Sequence, residues 1–305
     1  MRLQLGINTC FAVKRWPEPA DWAPIVRDRL GLRLVQHSLD LVDTASPERM
    51  EAQATAVSAA VADHGLELHS TFTGLAAYSA NLLLAPDAAD RHAALQWYRR
   101  VIGLTAGLGA RATGGHVGCF SVPDWRDDGR RKELWDGLRG DLATLAADAR
   151  GAGLEYLVVE NLAVAREPST MAMVGELLDE GDDARVPIRL CRDVGHMVVP
   201  GTDGPDRDPY AWLRELGSSA PIVQLQQSDA DGDHHWPFTA RHNAIGRISA
   251  DEVIEALSAG GVEETALVLE VIPPFEQADD DVLDELEESV DYWREAMTRL
   301  GILVD

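Results

Sequence analysis

Three carboxylates close short apolar runs in this chain: Glu160 ends LEYLVVE, Asp193 ends IRLCRD and Glu270 ends TALVLE. Histidines occupy equivalent places, with His69 in LELHST, His116 in TGGHVG and His196 three residues after Asp193. Another run, IVQLQQ, carries the amides Gln224 and Gln226, and Asn8 and Gln36-His37 finish two more. Taken singly, each has a plain alternative: Asn161 or Asp193 could cap a helix, His69 could be a satisfied core histidine, and Glu270 could pair with an arginine. All the runs ending alike is a different matter. Carboxylates converging on one rim repel and desolvate each other unless a cation neutralises them, so the set calls for a divalent metal.

The elements that must position these groups follow from periodicity. Short β-branched or apolar runs at 3–8, 33–38, 66–71, 111–117, 154–160, 187–193, 221–228 and 266–272 are expected strands. Helical periodicity fills 47–63, 88–106, 132–150, 169–178, 250–258 and 279–299. Ser46 before Pro47 reads as a cap, acids open the last helix, and Gly65 and Gly153 close helices ahead of strands. Eight alternating βα units imply parallel strands with right-handed crossovers. The expected architecture is therefore α/β, a single (β/α)8 TIM barrel over residues 1–305. An open doubly wound sheet would place a glycine-rich turn after the first strand. The turn there, NTCFAVKRW, has no glycine, and no P-loop is present. In a barrel, the strand C-termini form the active face.

Composition narrows the function. The chain has 305 residues, 27 Lys+Arg against 51 Asp+Glu, and a net charge of −24. That surplus excludes nucleic acid and anionic membrane as partners. Cys10, Cys119 and Cys191 are an odd set without CxxC spacing, which points to a reducing compartment. The N-terminus has no signal-like apolar run, so a cytoplasmic location is expected. Only Lys14 and Lys132 are lysines.

LVVEN at Glu160, CRDVGH from Cys191 to His196, VQLQQSDADGDHHWPFT from Val223 and LVLEVIPP at Glu270 resemble the xylose-isomerase-like TIM-barrel superfamily. Within it, the chain resembles the sugar phosphate isomerase/epimerase branch, which includes the ketose 3-epimerases, from GINTC to the final helix. The resemblance implies one divalent metal held by Glu160, Asp193, position 224 and Glu270, with Glu160 and Glu270 as catalytic base and acid working through a metal-bound enediolate. It also implies that His196 contacts substrate oxygens, the plainer alternative being an orienter of Asp193. Gln224 departs from the family histidine of a His-x-x-Asp pattern. A glutamine carbonyl makes the site all-oxygen and favours Mn²⁺ or Mg²⁺. His234 or His235 folding inward could instead supply the missing ligand, or metal binding could be lost.

Other residues are expected to line the pocket. Arg166, six residues after Glu160, suits a phosphate or carboxylate tail, or else is a surface arginine on a loop. His69, His116, Gln226 and His235 fall near the rim. Residues 228–247 lack clear secondary structure, which suggests a lid, and Trp236 within it could stack on a sugar or bury against the rim. The expected function is a metal-dependent isomerase or epimerase of a small sugar or sugar phosphate, with a homo-oligomer left open. A lyase or dehydratase using the same enediolate chemistry, and a non-catalytic sugar-binding descendant, are the alternatives. Phosphodiester hydrolysis, which needs several metals and a basic face, is disfavoured.

Overall fold

A computed structural model describes residues 1–196 and 203–302. Eight parallel strands close into a barrel in sequence order. They are β1 (Arg2–Asn8), β2 (Leu34–Ser38), β3 (Glu67–Phe72), β4 (Ala112–Gly115), β5 (Tyr156–Glu160), β6 (Ile188–Asp193), β7 (Ile222–Leu225) and β8 (Glu264–Leu269). Closure is made where β1 meets β8, from Arg2 opposite Glu264 to Ile7 opposite Leu269. Inside, Leu34, Phe72, Val158, Cys191, Ile222, Ala266 and Val268 fill the barrel, alternate residues of successive strands facing inward. Continuing that alternation by two residues brings Gln36, Glu160, Asp193, Gln224 and Glu270 into the layer above.

The barrel helices are capped as their sequences require. Ser46 Oγ accepts the Arg49 N–H at the start of α2 (Pro47–Asp63), once α1 (Pro19–Pro24) has run into a π-helical turn at Pro24. Asp87 opens α3 (Ala88–Gly107), and Ser121 opens the short α4 (Val122–Arg126). Asp127 opens α5 (Asp128–Ala152), which Gly153 ends at φ 88°. Thr170 opens α6 (Met171–Leu177) and Asp208 opens α7 (Pro209–Leu216). Thr239 caps α8 (Ala240–Asn243), Ser249 caps α9 (Ala250–Ala259), and three aspartates begin α10 (Asp279–Arg299). Trp22, Trp212 and Trp293 are wholly buried in the core beneath these helices. No helix among the described residues is long and apolar enough to cross a membrane.

β4 and β7 fall furthest short of their sequence runs. The run 111–117 yields only Ala112–Gly115, and within it Gly114 passes so close to β5 that a Cβ there would lie 1.9 Å from the Val158 oxygen. Only a residue without a side chain, at φ 142°, permits that approach. The run 221–228 stops at Leu225, and Gln226, Gln227 and Ser228 turn toward the mouth. The following 228–247 segment is tied back by Gln227 pairing with Trp236 and then contains α8.

Candidate active site

The side chains of Glu160, Asp193 and Glu270 leave the C-terminal ends of β5, β6 and β8 and are 0%, 0% and 3% exposed. One oxygen of each lies within 4.8 Å of the others. The three carboxylates therefore meet as expected, on the face where barrel enzymes carry their chemistry.

A buried array of amides fixes Glu270. Asn8 Oδ1 accepts the Cys10 N–H at 2.9 Å, so its Nδ2 must face the other way. That nitrogen donates to Gln36 Oε1 (2.9 Å) and Glu270 Oε1 (3.1 Å). Gln36 consequently presents its oxygen, and Gln224 must present its nitrogen: Nε2 donates to Gln36 Oε1 at 3.0 Å and to Glu270 Oε1 at 2.8 Å. The Gln224 carbonyl is left to accept from Cys191 Sγ at 3.2 Å. A single backbone N–H, which can only donate, sets the direction of all three amides. Gln224 thus reaches the site, but with a donor rather than the oxygen a metal would need. Glu270 Oε2, by contrast, is buried without a hydrogen-bond partner among the described residues.

Gln226 serves Asp193 in the same way. Its Oε1 accepts from the His235 N–H and from Ser228 Oγ, each at 2.7 Å. Its Nε2 lies 3.2 Å from both Asp193 oxygens and 2.8 Å from Asp233 Oδ1. Gly195 makes room, since a Cβ there would lie 2.4 Å from the Gln226 amide carbon. β7 and its extension therefore contribute two amide donors facing three carboxylates, Glu270, Asp193 and Asp233.

Histidines and a fourth acid complete the centre. His196 Nδ1 faces the Asn161 carbonyl at 2.8 Å, so it carries a proton, and Nε2 lies 3.3 Å from Asp233 Oδ2. His235, at φ 49°, sits with Nε2 3.4 Å from Asp233 Oδ1 and Nδ1 3.7 Å from Glu270 Oε2. Asp193, His196 and His235 form a second group with mutually close donor atoms. Tyr78, on a 3₁₀ turn held by Asp40 accepting the Leu75 and Ala76 N–H groups, donates its hydroxyl toward both Glu160 oxygens at 3.1 Å. His116 packs edge-on against Tyr78, and its Nε2 contacts Glu167 at 3.1 Å.

The electrostatics follow from burial. Glu160 and Glu270 are pushed well above the usual carboxylate range, first by loss of water and then by neighbouring acids, despite opposing help from His196 and His235. Burial works against a charge on His235, but Asp233 and Glu270 outweigh it and raise its pKa to about 9. His196 is raised likewise by Asp193 and Asp233 against its burial. Burial also opposes ionisation of Asp233, but the two imidazoles hold it well below the usual range.

Three expected pocket residues lie elsewhere. His69 is buried beside Tyr156, the first residue of β5, with Nε2 3.4 Å from its hydroxyl, toward the opposite end of the strand from Glu160. Arg166 turns onto the β4 loop, donating to the Phe120 carbonyl and to Cys119 Sγ. The Trp236 ring stacks on His234 at 3.9 Å and on His242 at 5.3 Å, lining an outer cleft with Arg241 and Ile272. Tyr78, Asp233 and the orienting roles of Asn8 and Gln36 were not foreseen. Asp-x-His at 233–235 was the visible sign for Asp233; nothing local marks Tyr78.

The residues present fit a divalent cation: three buried carboxylates, one with an orphaned oxygen, and adjacent imidazoles form a donor set of the right chemistry. Residues 28–298 match the family described as xylose isomerase-like TIM barrel. A D-erythrulose 1-phosphate 3-epimerase from Brucella abortus (strain 2308) is 30% identical over 299 residues, 96% of each chain. A crystal structure from Rhodospirillum rubrum, provisionally named a xylose isomerase, is 34% identical with a TM-score of 0.88, over 96% of this chain and 99% of that one. D-psicose 3-epimerase from Clostridium cellulolyticum, at 15% identity and a TM-score of 0.69 over 96% and 99% of the two chains, shares the fold. With its closed barrel and a family match spanning nearly all of its length, the chain belongs to the xylose isomerase-like TIM barrel family.

Proposed function

We propose that the protein is a divalent-metal-dependent epimerase or isomerase of a small ketose or ketose phosphate, moving a proton at a carbon next to a carbonyl. The observation that carries this reading is the meeting of Glu160 and Glu270. They leave strands three apart around the barrel, and their carboxylates approach a common point beside Asp193. Support for the substrate class comes from the Brucella relative, whose name specifies a ketose 1-phosphate and epimerisation. The reading takes residues 1–305 as one catalytic domain working in the cytoplasm.

Glu160, Asp193 and Glu270 would hold the metal. Oxygen donors favour Mn²⁺ or Mg²⁺, and the bound ion supplies Lewis-acid polarisation of the substrate carbonyl and its α-hydroxyl. The side chains divide the remaining work. Asn8 and Gln224 pin Glu270 Oε1, leaving Oε2 to take or return the carbon-bound proton. Tyr78 holds Glu160 for transfer on the other face of the substrate. A phenol whose pKa burial and Glu160 raise well above its usual range stays protonated and remains a donor. His196, fixed through Nδ1 by the Asn161 carbonyl, offers its Nε2–H to substrate oxygens. One carboxylate accepts while the other donates, so the pair runs a reversible transfer without a net change in charge.

The test is solvent deuterium incorporation. Protein loaded with Mn²⁺ or Mg²⁺ is incubated in D₂O with ketoses and ketose phosphates, including D-erythrulose 1-phosphate. Deuterium is expected at the carbon beside the carbonyl, with an epimer or isomer accumulating, and chelation should stop both. Absence of exchange into every ketose tested, with metal bound, overturns the reading.

A further inference from the structure

Arg166 was the sequence candidate for gripping an anionic tail, and its guanidinium is spent on the Phe120 carbonyl and Cys119. The loop after β1 offers a different cation. It runs along the loop after β8: Cys10 Sγ donates to the Val271 carbonyl at 3.4 Å, one residue beyond Glu270. Farther along, Arg15, with a side chain only 7% exposed, donates to the Pro274 carbonyl at 2.7 Å and pairs with Asp279. These contacts clamp the two loops together on the Glu270 side of the mouth.

Lys14 stands between the clamps. Its backbone is at φ 65°, in the left-handed region where lysine is uncommon, and His235 is another of the three non-glycine residues in this state among the described residues. Such conformations persist where surrounding structure enforces them, and they gather at functional sites. Among the described residues the Lys14 ammonium pairs with no carboxylate, and its contact is the face of Phe275, 3.9 Å from the ring centroid. Phe275 is itself 48% exposed, an apolar ring kept at the surface five residues after Glu270. A −24 chain repels anions in general, so an anionic substrate needs a local cation facing the entrance.

The geometry points to Lys14 as the phosphate-binding residue of the substrate site, with Phe275 holding the ammonium in place and Arg15 holding the loop. This rests on the ketose reading above and sharpens it: the substrate is a short ketose carrying a terminal phosphate. An ammonium is a compact point charge that binds phosphate from several directions, whereas carboxyamides and imidazoles at the metal-binding carboxylates serve the sugar end.

The experiment compares wild type, Lys14→Met, Lys14→Arg and, as a control on the outer cleft, Arg241→Ala. For each, kcat/KM is measured with D-erythrulose 1-phosphate and with unphosphorylated D-erythrulose. The ratio of the two should fall at least tenfold in Lys14→Met, through KM for the phosphate ester, recover in Lys14→Arg and hold in Arg241→Ala. An unchanged ratio in Lys14→Met, or the same fall in Arg241→Ala, overturns the assignment. If wild type turns over neither compound, the activity reading fails separately, and titration calorimetry with D-erythrulose 1-phosphate and inorganic phosphate decides on Lys14. Binding lost in Lys14→Met and kept in Lys14→Arg supports the site; binding equal in all proteins, or absent from wild type, overturns it.

Discussion

Gln224 Nε2 lies 2.8 Å from Glu270 Oε1, on the oxygen opposite the one that is buried without a partner among the described residues. The pairing converts a position expected to ligate a metal through its carbonyl into one that aims a neighbouring carboxylate. Because the Cys10 N–H dictates the sense of the array through Asn8 and Gln36, turning Gln224 over would set its oxygen against two acceptors.

This relationship gives a prediction opposite to the one a ligand role would give. Gln224→His should weaken divalent-metal binding, since one imidazole N–H cannot serve both Gln36 and Glu270. Both acceptors keep their Asn8 hydrogen bond, so the loss is one buried hydrogen bond, about 0.5–1.5 kcal/mol, a weakening of up to roughly tenfold. Equilibrium dialysis with Mn²⁺ checks it; tighter binding by the histidine variant would restore position 224 as a ligand.

Replacing the proton-transfer groups should separate chemistry from fold. Glu270→Gln is expected to abolish deuterium exchange into substrate, a loss of about a thousandfold or more, with thermal stability kept. Tyr78→Phe should lower kcat about tenfold with little change in KM, because the lost hydroxyl holds Glu160. Full exchange by Glu270→Gln would remove that residue from the pair.

Acid stability should reflect two buried histidines. Burial lowers both His37 and His69 to about 4. Their contribution is present above about pH 6.5 and disappears as pH falls toward 4, because the unfolded chain takes up the proton first. Each is worth about 3 kcal/mol across that window. The melting temperature of wild type should therefore drop more steeply from pH 7 to 4.5 than that of His37→Gln/His69→Gln; parallel slopes would contradict the assignment.

Gly114→Ala should be among the most damaging substitutions in the barrel. Its Cβ would fall 1.9 Å from the Val158 oxygen at a φ of 142°, so β4 must separate from β5. A loss of about 4 kcal/mol or more is expected, read as a collapse of soluble yield or melting temperature. A fully stable variant would mean that the strand contact relaxes.

The sequence by itself determined the eight-unit order, the Ser46 cap, the acidic opening of the last helix, the closing glycines 65 and 153, and the three carboxylates at the ends of β5, β6 and β8. These depend on apolar periodicity, glycine and capping chemistry, all local along the chain. The need for glycine at 114 was not legible, because the approach of Gly114 to Val158 is a distance between strands. Nor was the fate of His69 or Arg166, since a residue's place in a run does not say which end of the barrel its ring reaches or which loop its guanidinium crosses. Only the tertiary structure decided that Gln224 and Gln226 present nitrogens to Glu270 and Asp193. An amide can offer either end, and the choice was made by the backbone N–H groups of Cys10 and His235, both distant in sequence from the carboxylates they orient.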